Sequence, residues 1–265
     1  MTGILEEIVA QARDGVARRA AAVPLPALIR AGEQRLAGPD AIRDFQAALA
    51  APGVSLIAEH KRSSPSAGVI REDVELEEVV SAYERGGARA LSVLTEERHF
   101  GGRLADLAAA RAASTLPILC KGFIVSDYQV HEALAGGADA ILLIAAALRP
   151  GELARLHALA TQVGLATLVE VHDARELEIA GRLGAAIIGI NNRDLTTMRV
   201  DIERTFGLLP DAPADALVVA ESGFGQASEL ERLAKAGADA VLIGERLMRS
   251  ADIEAATREL LGSQA

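Results

Sequence analysis

The chain has no tryptophan, one cysteine and only 3% aromatic residues over 265 positions. With so little aromatic volume, the core must be built from aliphatic side chains and alanine, and hydrophobic residues make up 50% of the chain. A single thiol, Cys120, excludes an internal disulfide framework and fits a reducing cytoplasm. No apolar run reaches the roughly 18 residues that a bilayer-crossing helix needs. Residues 1–19 carry acids and lack the basic-then-apolar order of a secretory signal. Basic residues are in deficit, leaving a net charge of −10. That argues against nucleic acid and anionic membranes as partners. An anionic ligand would have to be met by cations gathered locally, against the overall field.

Residues 1–50 are rich in Ala, Arg and Glu. Ile4, Leu5, Ile8, Val9 and Ala12 recur at helical spacing, which predicts an amphipathic first helix broken by Pro24 and Pro26. Ile42, Phe45 and Leu49 predict a second, short helix within 40–50. From residue 54 the pattern changes. Short aliphatic runs at 54–59, 89–94, 116–121, 139–144, 165–170, 186–191, 216–221 and 240–243 read as strands. Helical patterns follow near 74–85, 103–112, 127–136, 151–163, 173–183, 201–208, 226–236 and 250–261. A faint repeat supports this order. Gly86-Gly87-Ala88, Gly136-Gly137-Ala138-Asp139, Gly184-Ala185 and Gly237-Ala238-Asp239 each place a helix-ending glycine and a short link before an aliphatic strand. Strands that read continuously apolar are covered on both faces, as in parallel sheets. Eight strand–helix units predict a (β/α)8 barrel over 51–265, with a helical extension over 1–50. An open doubly wound sheet is the alternative.

In such a barrel the chemistry sits at the C-terminal strand ends. The first strand runs into Glu59-His60-Lys61-Arg62-Ser63-Ser64-Pro65-Ser66. Residues two apart on a strand share a face, so Glu59 and Lys61 aim at one point. A structural salt bridge is the bland alternative, but charge at the end of a buried strand must be compensated and is more often functional. The other strand ends contribute Ser92, Lys121, Glu170, Asn191 with Arg193 beyond, Glu221, and Gly244-Glu245. Lysines, glutamates and an asparagine at one mouth point to acid–base chemistry.

Ser222-Gly223-Phe224-Gly225 and Gly244-Glu245 follow the seventh and eighth strands, where this fold often binds phosphate through backbone N–H groups. Two plain turns are the other reading. Gly223-Phe224-Gly225-Gln226-Ala227-Ser228 nearly matches a dinucleotide fingerprint, but it lacks the third glycine and does not open a βαβ unit. His60, His99, His131, His157 and His172 are scattered without ligand spacing, so no metal is expected. His60 is expected to face the helix layer, and His131 and His157 the solvent. Cys120, on the opposite face from Lys121, reads as a packed core thiol.

With these residues in view, the chain resembles the indole-3-glycerol phosphate synthase family. The motifs that carry the resemblance are Ile57-Ala58-Glu59-His60-Lys61-Arg62-Ser63-Ser64-Pro65-Ser66, Ser92-Val93-Leu94-Thr95-Glu96, Lys121-Gly122-Phe123-Ile124-Val125, Leu168-Val169-Glu170-Val171, Gly189-Ile190-Asn191-Asn192-Arg193-Asp194-Leu195, Val219-Ala220-Glu221-Ser222-Gly223 and Leu242-Ile243-Gly244. The resemblance implies ring closure, decarboxylation and dehydration of 1-(2-carboxyphenylamino)-1-deoxyribulose 5-phosphate, a small molecule carrying phosphate and carboxylate. It implies no cofactor and no metal, no nucleic-acid or membrane partner, a cytoplasmic location, and a monomer or weak dimer. By resemblance, Lys121 is the general acid on the ribulose carbonyl. Lys61 pairs with substrate anions and donates in the dehydration. Glu59 and Glu170 stabilise the iminium and act as bases, and Asn191 orients Glu59. Ser64, Arg193, Glu221, Ser222, Gly223, Gly244 and Glu245 bind substrate or its phosphate, with Phe100 and Phe123 as walls for the anilino ring. Lys61, Arg62, Lys121 and Arg193 would form a positive funnel.

Two places depart from the family pattern. Gly122 stands where an acid usually follows the lysine, and His99 and Arg103 stand where an aromatic and a small polar residue are usual. Loss of the acid is expected to leave Lys121 or Lys61 short of a charge partner. Three alternatives follow: a paralogue closing the ring on a substituted anthranilate, a sugar-phosphate isomerase on the same barrel, or a phosphate-binding module without catalysis.

Overall fold

The computed structural model describes residues 4–39, 41–194 and 197–262. Residue 40 of the expected second helix, Leu195 of the Asn191-Asn192 motif, and the outer ends of both expected domains lie outside the described residues. Three helices come first: α1 (Ile4–Ala22), α2 (Leu25–Ala37) and α3 (Phe45–Leu49). The alternating part begins with β1 (Ser55–His60), a small hairpin of β2 (Ser63–Ser64) and β3 (Gly68–Val69), α4 (Leu76–Arg85) and β4 (Ala90–Leu94). It continues with α5 (Glu97–Phe100), α6 (Ala105–Ala113), β5 (Ile118–Lys121), α7 (Asp127–Gly136), β6 (Ala140–Ile144) and α8 (Pro150–Gln162). Then come β7 (Ala166–Val171), α9 (Ala174–Leu183), β8 (Ile187–Asn191), α10 (Glu203–Leu208) and β9 (Leu217–Glu221). The last elements are α11 (Ala227–Ala236), β10 (Ala240–Ile243), α12 (Glu245–Met248) and α13 (Ile253–Leu261).

Each aliphatic run picked out in the sequence is a strand. All pair in parallel and close into a barrel in the order β1-β10-β9-β8-β7-β6-β5-β4. Closure excludes the open doubly wound sheet. The repeated glycine has left-handed φ in all four units, at Gly87, Gly137, Gly184 and Gly237. Two helices differ from expectation. Pro24 and Pro26 end α1 but also start α2, with Pro24 as its N-cap and Pro26 in its first turn. There the missing N–H of proline has no partner to lose. The helix expected within 40–50 is only α3, because Asp44 caps it and accepts the Ala47 N–H at 2.8 Å.

Alternation on the strands divides the apolar residues into two layers. Leu56, Val93, Ile118, Cys120, Ile141, Leu143, Val169, Ile188, Ala220 and Val241 face the helices. Ile57, Ala90, Leu119, Ala140, Leu142, Leu168, Ile187, Val219, Ala240 and Leu242 fill the barrel with Phe45 and Leu49. The two α3 side chains thus plug the end opposite the mouth. Ser55 Oγ donates to Leu49 O at 2.9 Å and ties that plug to the start of β1.

The aspartates of the repeat do equivalent work. Asp139 Oδ2 accepts the N–H of Ile118 at 2.9 Å, and Asp239 Oδ2 accepts that of Val218 at 2.7 Å. Asp139 also fastens the extension. It receives Arg35 of α2 at 2.8 Å, the Arg43 N–H at 3.0 Å and Arg111 of α6 at 2.9 Å. It is fully buried, and the guanidiniums of Arg35 and Arg111 are nearly so.

Removing one partner of a buried charge network strands the rest. Asp139→Asn should therefore lower stability by about 3 kcal/mol or more in urea unfolding. A loss below about 0.5 kcal/mol, the usual range for surface changes, would show that the extension is held elsewhere.

Candidate active site

A cavity of about 710 Å³ opens at the C-terminal end of the barrel. Its floor is apolar, with Leu94, Leu142, Ile144 and Leu242, and its walls carry charge. Glu59, Lys61, Ser64, Phe100, Lys121, Phe123, Glu170, Asn191, Arg193, Glu221, Ser222, Gly223, Gly244 and Glu245 all line it. The topology brings together every residue to which the resemblance gave a catalytic or substrate-binding role; Ser92 and Arg62 lie outside the lining.

Alternation on β1 puts Glu59 and Lys61 in the cavity and turns His60 away, so His60 is buried with Nε2 unpartnered. Burial, then the Arg62 charge, push its imidazole down to about 4. Lys61 Nζ lies 2.8 Å from Glu59 Oε1, and Ser92 Oγ donates to Glu59 Oε2 at 3.4 Å. Across the mouth, Lys121 Nζ lies 2.8 Å from Glu221 Oε2 and 3.6 Å from Glu170 Oε2. The three carboxylates are at most 3% exposed. Burial disfavours ionised Glu59, but Lys61 and then Lys121 outweigh it and hold the carboxyl below its ordinary range. Glu221 goes the other way. Burial pushes it up to about 7, with Lys121 opposing and Glu170 and Glu59 reinforcing. Lys121 is held above the ordinary ammonium range: burial works against the charge, and Glu221, Glu170 and Glu59 more than offset it.

This corrects the expectation about Gly122. Lys121 is not short of charge partners, because three carboxylates face it. An added Cβ at Gly122 would lie 2.5 Å from Thr95 Oγ1. An acid there would need Thr95 to move. The other departures lie outside the cavity lining. His99 Nδ1 is 3.3 Å from Glu96 Oε1, and the Arg103 N–H donates to Asp106.

At the far side, Ser222 has φ 65 and Gly223 φ 93. The turn is pinned from behind by Asn192, which the sequence reading did not single out. Its Nδ2 donates to Ser222 O at 3.0 Å, and its Oδ1 accepts Thr205 N–H and Oγ1 at 3.0 and 2.8 Å. The N–H groups of Gly225 and Gln226 are taken by Glu229 Oε2 at 2.8 and 2.9 Å. At Gly244, a Cβ would lie 2.9 Å from that of Glu59. This glycine lets β10 end directly against the carboxylate of β1. Phe100 and Phe123 stand with centroids 6.4 Å apart, tilted by 38°.

Several residues sit differently from the sequence reading. Arg62 does not join the funnel; its guanidinium pairs with Asp106 and the Gly101 carbonyl. Arg246 and Arg249, from the turn after β10, line the cavity instead. Their positions follow from α12, which had no sequence signal of its own. Glu221, grouped in sequence with the phosphate loop, pairs with Lys121. Asn191 accepts the Arg193 N–H at 3.0 Å, so its hydrogen bond runs to the following loop and not to Glu59. That loop also brings Met198 and Val200 to the rim. His157 is not simply solvated, since its Nδ1 is 2.8 Å from Thr167 Oγ1. Cys120 is buried, and burial pushes its thiol up to about 11, so it offers no thiolate at neutral pH.

The family model described as indole-3-glycerol phosphate synthase matches residues 5–260. Proteins named indole-3-glycerol phosphate synthase are similar along nearly their whole length. The one from Rhizorhabdus wittichii is 47% identical over 98% of this chain and 99% of its own. The one from Nocardioides sp. is 48% identical over 98% of each. Among solved structures, 3-hexulose-6-phosphate synthase from Salmonella typhimurium has a TM-score of 0.61 at 14% identity, over 78% of this chain and 96% of its own. A tryptophan synthase alpha-subunit from Pyrococcus furiosus also reaches 0.61, at 18% identity, over 78% and 98%. At these identities the structures show the fold alone.

The charge cluster predicts a pH dependence of stability. The folded state holds the Glu221 proton more tightly than the unfolded chain does. Its contribution is therefore present at low pH and is lost as pH rises through about 7. Between about pH 5 and 8, the wild type should lose roughly 1–3 kcal/mol relative to Glu221→Gln in urea titrations. A constant difference between the two proteins would mean that Glu221 titrates as an ordinary carboxylate.

Proposed function

The chain belongs to the indole-3-glycerol phosphate synthase family, and on that premise we propose how its cavity converts 1-(2-carboxyphenylamino)-1-deoxyribulose 5-phosphate to indole-3-glycerol phosphate, carbon dioxide and water. The observation that carries the reading is the ammonium of Lys121, set between Glu221 and Glu170 over an apolar floor.

The phosphate sits at the corner of Ser222-Gly223 and Gly244-Glu245, with Ser64, Arg193 and the neighbouring Arg246 around it. The anilino ring lies against Phe100 and Phe123. This arrangement brings the ribulose carbonyl toward Lys121. As the ring carbon attacks that carbonyl, Lys121 gives its proton to the oxygen, so no free alkoxide forms. An ammonium so tightly held by carboxylates is always charged but is a reluctant acid. The carbonyl oxygen must take the place of one carboxylate at Nζ. The attack leaves a cationic iminium, which Glu59 and Glu170 stabilise in a site shielded from water. Loss of carbon dioxide returns the electron pair to the ring. Lys61 then protonates the departing hydroxyl and Glu59 removes the last ring proton, giving the indole. The low proton affinity of Glu59 beside Lys61 keeps it ionised for that step.

No observation favours a substituted anthranilate, because His99 and Arg103 lie outside the cavity lining. An isomerase using a cysteine is disfavoured by the buried, protonated Cys120. The extension and barrel act as one catalytic unit, as a monomer or weak dimer in the cytoplasm.

Lys121→Ala should retain the fold by circular dichroism and lose about 10²- to 10⁴-fold in turnover, followed by indole fluorescence. Turnover within a few-fold of wild type would mean that another group is the acid. Inorganic phosphate should inhibit competitively with substrate. Gly244→Ala should weaken that inhibition and slow turnover together, since its Cβ crowds Glu59. Noncompetitive inhibition by phosphate would place the anion elsewhere.

A further inference from the structure

We propose that His172 is a positioning residue for Glu170, acting as an imidazolium clamped between Glu170 and Glu176. The inference rests on the reading of Glu170 as a working carboxylate. His172 follows the end of β7, two residues after Glu170. The i, i+2 rule that joins Glu59 and Lys61 therefore places His172 beside Glu170. Its Nε2 lies 3.4 Å from Glu170 Oε1, and its Nδ1 lies 3.2 Å from Glu176 Oε2. Glu176, in the first turn of α9, also accepts the His172 backbone N–H at 2.8 Å. Glu176 thus anchors both the backbone N–H and Nδ1, and it leaves Nε2 turned toward Glu170 with no hydrogen bond of its own. The His172 side chain is 12% exposed and does not line the cavity, so it acts through Glu170.

A neutral imidazole has one donor and one acceptor nitrogen. Here Nδ1 hydrogen-bonds Glu176, while Nε2 stands at ion-pairing distance from Glu170 Oε1 without the alignment of a hydrogen bond, so the contact with Glu170 is electrostatic and calls for the charged ring. The charged groups around it are Glu170 on its own strand, Glu176 on α9 and Glu221 on β9; Lys121 on β5 faces the other oxygen of Glu170. β6, paired alongside, brings Ile144 opposite Glu170. Burial lowers the proton affinity of the ring, but the hydrogen bond to Glu176 and the Glu170 charge prevail and raise it.

The geometry explains how Lys121 can serve two acids. Its ammonium is nearer Glu221 than Glu170. Without a second cation, Glu170 would be under-compensated and would draw Lys121 away from Glu221. His172 beside Oε1 supplies that cation, so Lys121 stays available on the cavity side.

The test combines kinetics with titration. In His172→Gln, Glu170 loses a neighbouring cation. The acid limb of the kcat profile should move up by about one pH unit. At the wild-type optimum kcat should fall about tenfold with little change in KM. Glu176→Gln should move the limb in the same direction by less. The double variant should be no worse than His172→Gln alone, because both changes break one chain. In NMR titrations the wild-type ring should titrate above the ordinary histidine range and fall in both Glu176→Gln and Glu170→Gln. An unmoved acid limb in a folded His172→Gln, additive effects in the double variant, or an ordinary titration indifferent to Glu176→Gln would each overturn the proposal. If His172→Gln fails to fold, Glu176→Gln decides the same point by its limb and its ring titration. A wild type that forms no indole product would refute the proposed reaction, while the ring titration would still decide the clamp.

Discussion

Three carboxylates cannot be buried together without cations among them, and that constraint organises the mouth of this barrel. Glu59, Glu170 and Glu221 are each almost fully removed from water. An isolated buried carboxylate would give up its charge. Lys61 answers Glu59, Lys121 stands between Glu221 and Glu170, and the His172 ring faces the remaining oxygen of Glu170. The compensation is uneven. Glu59 has its own lysine and lies below the ordinary range, whereas Glu221 shares one and is pushed up toward neutrality. Acid and base character in the same cavity thus comes from how two lysines are divided among three glutamates.

The rest of the fold keeps that division in place. Aliphatic layers fill the barrel below the charges, and Phe45 and Leu49 close its far end. The extension that carries the plug is fastened by Asp139, which gathers Arg35, Arg43 and Arg111 at the strand starts. At the mouth, Asn192 pins the carbonyl of Ser222, and Gly244 lets its strand end against Glu59. The anion corner and the acid–base cluster therefore share a wall. A change at the first would be felt at the second.

Much of this was legible in the sequence. Alternating aliphatic runs and helical patterns located all eight barrel strands. The i, i+2 rule placed Glu59 and Lys61 on one face and His60 on the other. Resemblance to a family supplied roles for those residues. The same rule, applied to Glu170 and His172, would have found the histidine. His172 has no ligand spacing and stands just beyond the apolar run, so its place two residues after Glu170 is its one local signal. Asn192 gave a weaker signal, as the second of two asparagines after an aliphatic run.

Periodicity is written in the chain: which segments are strands, which faces are apolar, and which residues stand at strand ends. Those properties depend on backbone geometry within a few residues, so they can be read locally. The tertiary structure alone decided who pairs with whom. Arg62 reads as a mouth cation yet is drawn to Asp106, 44 residues away. Glu221 reads as part of a phosphate loop yet holds Lys121, 100 residues away. The loss of an acid at Gly122 reads as a missing charge, yet three carboxylates from other strands surround its neighbour. Coulomb energy depends on distance in space and on burial, and both are set only when the barrel closes.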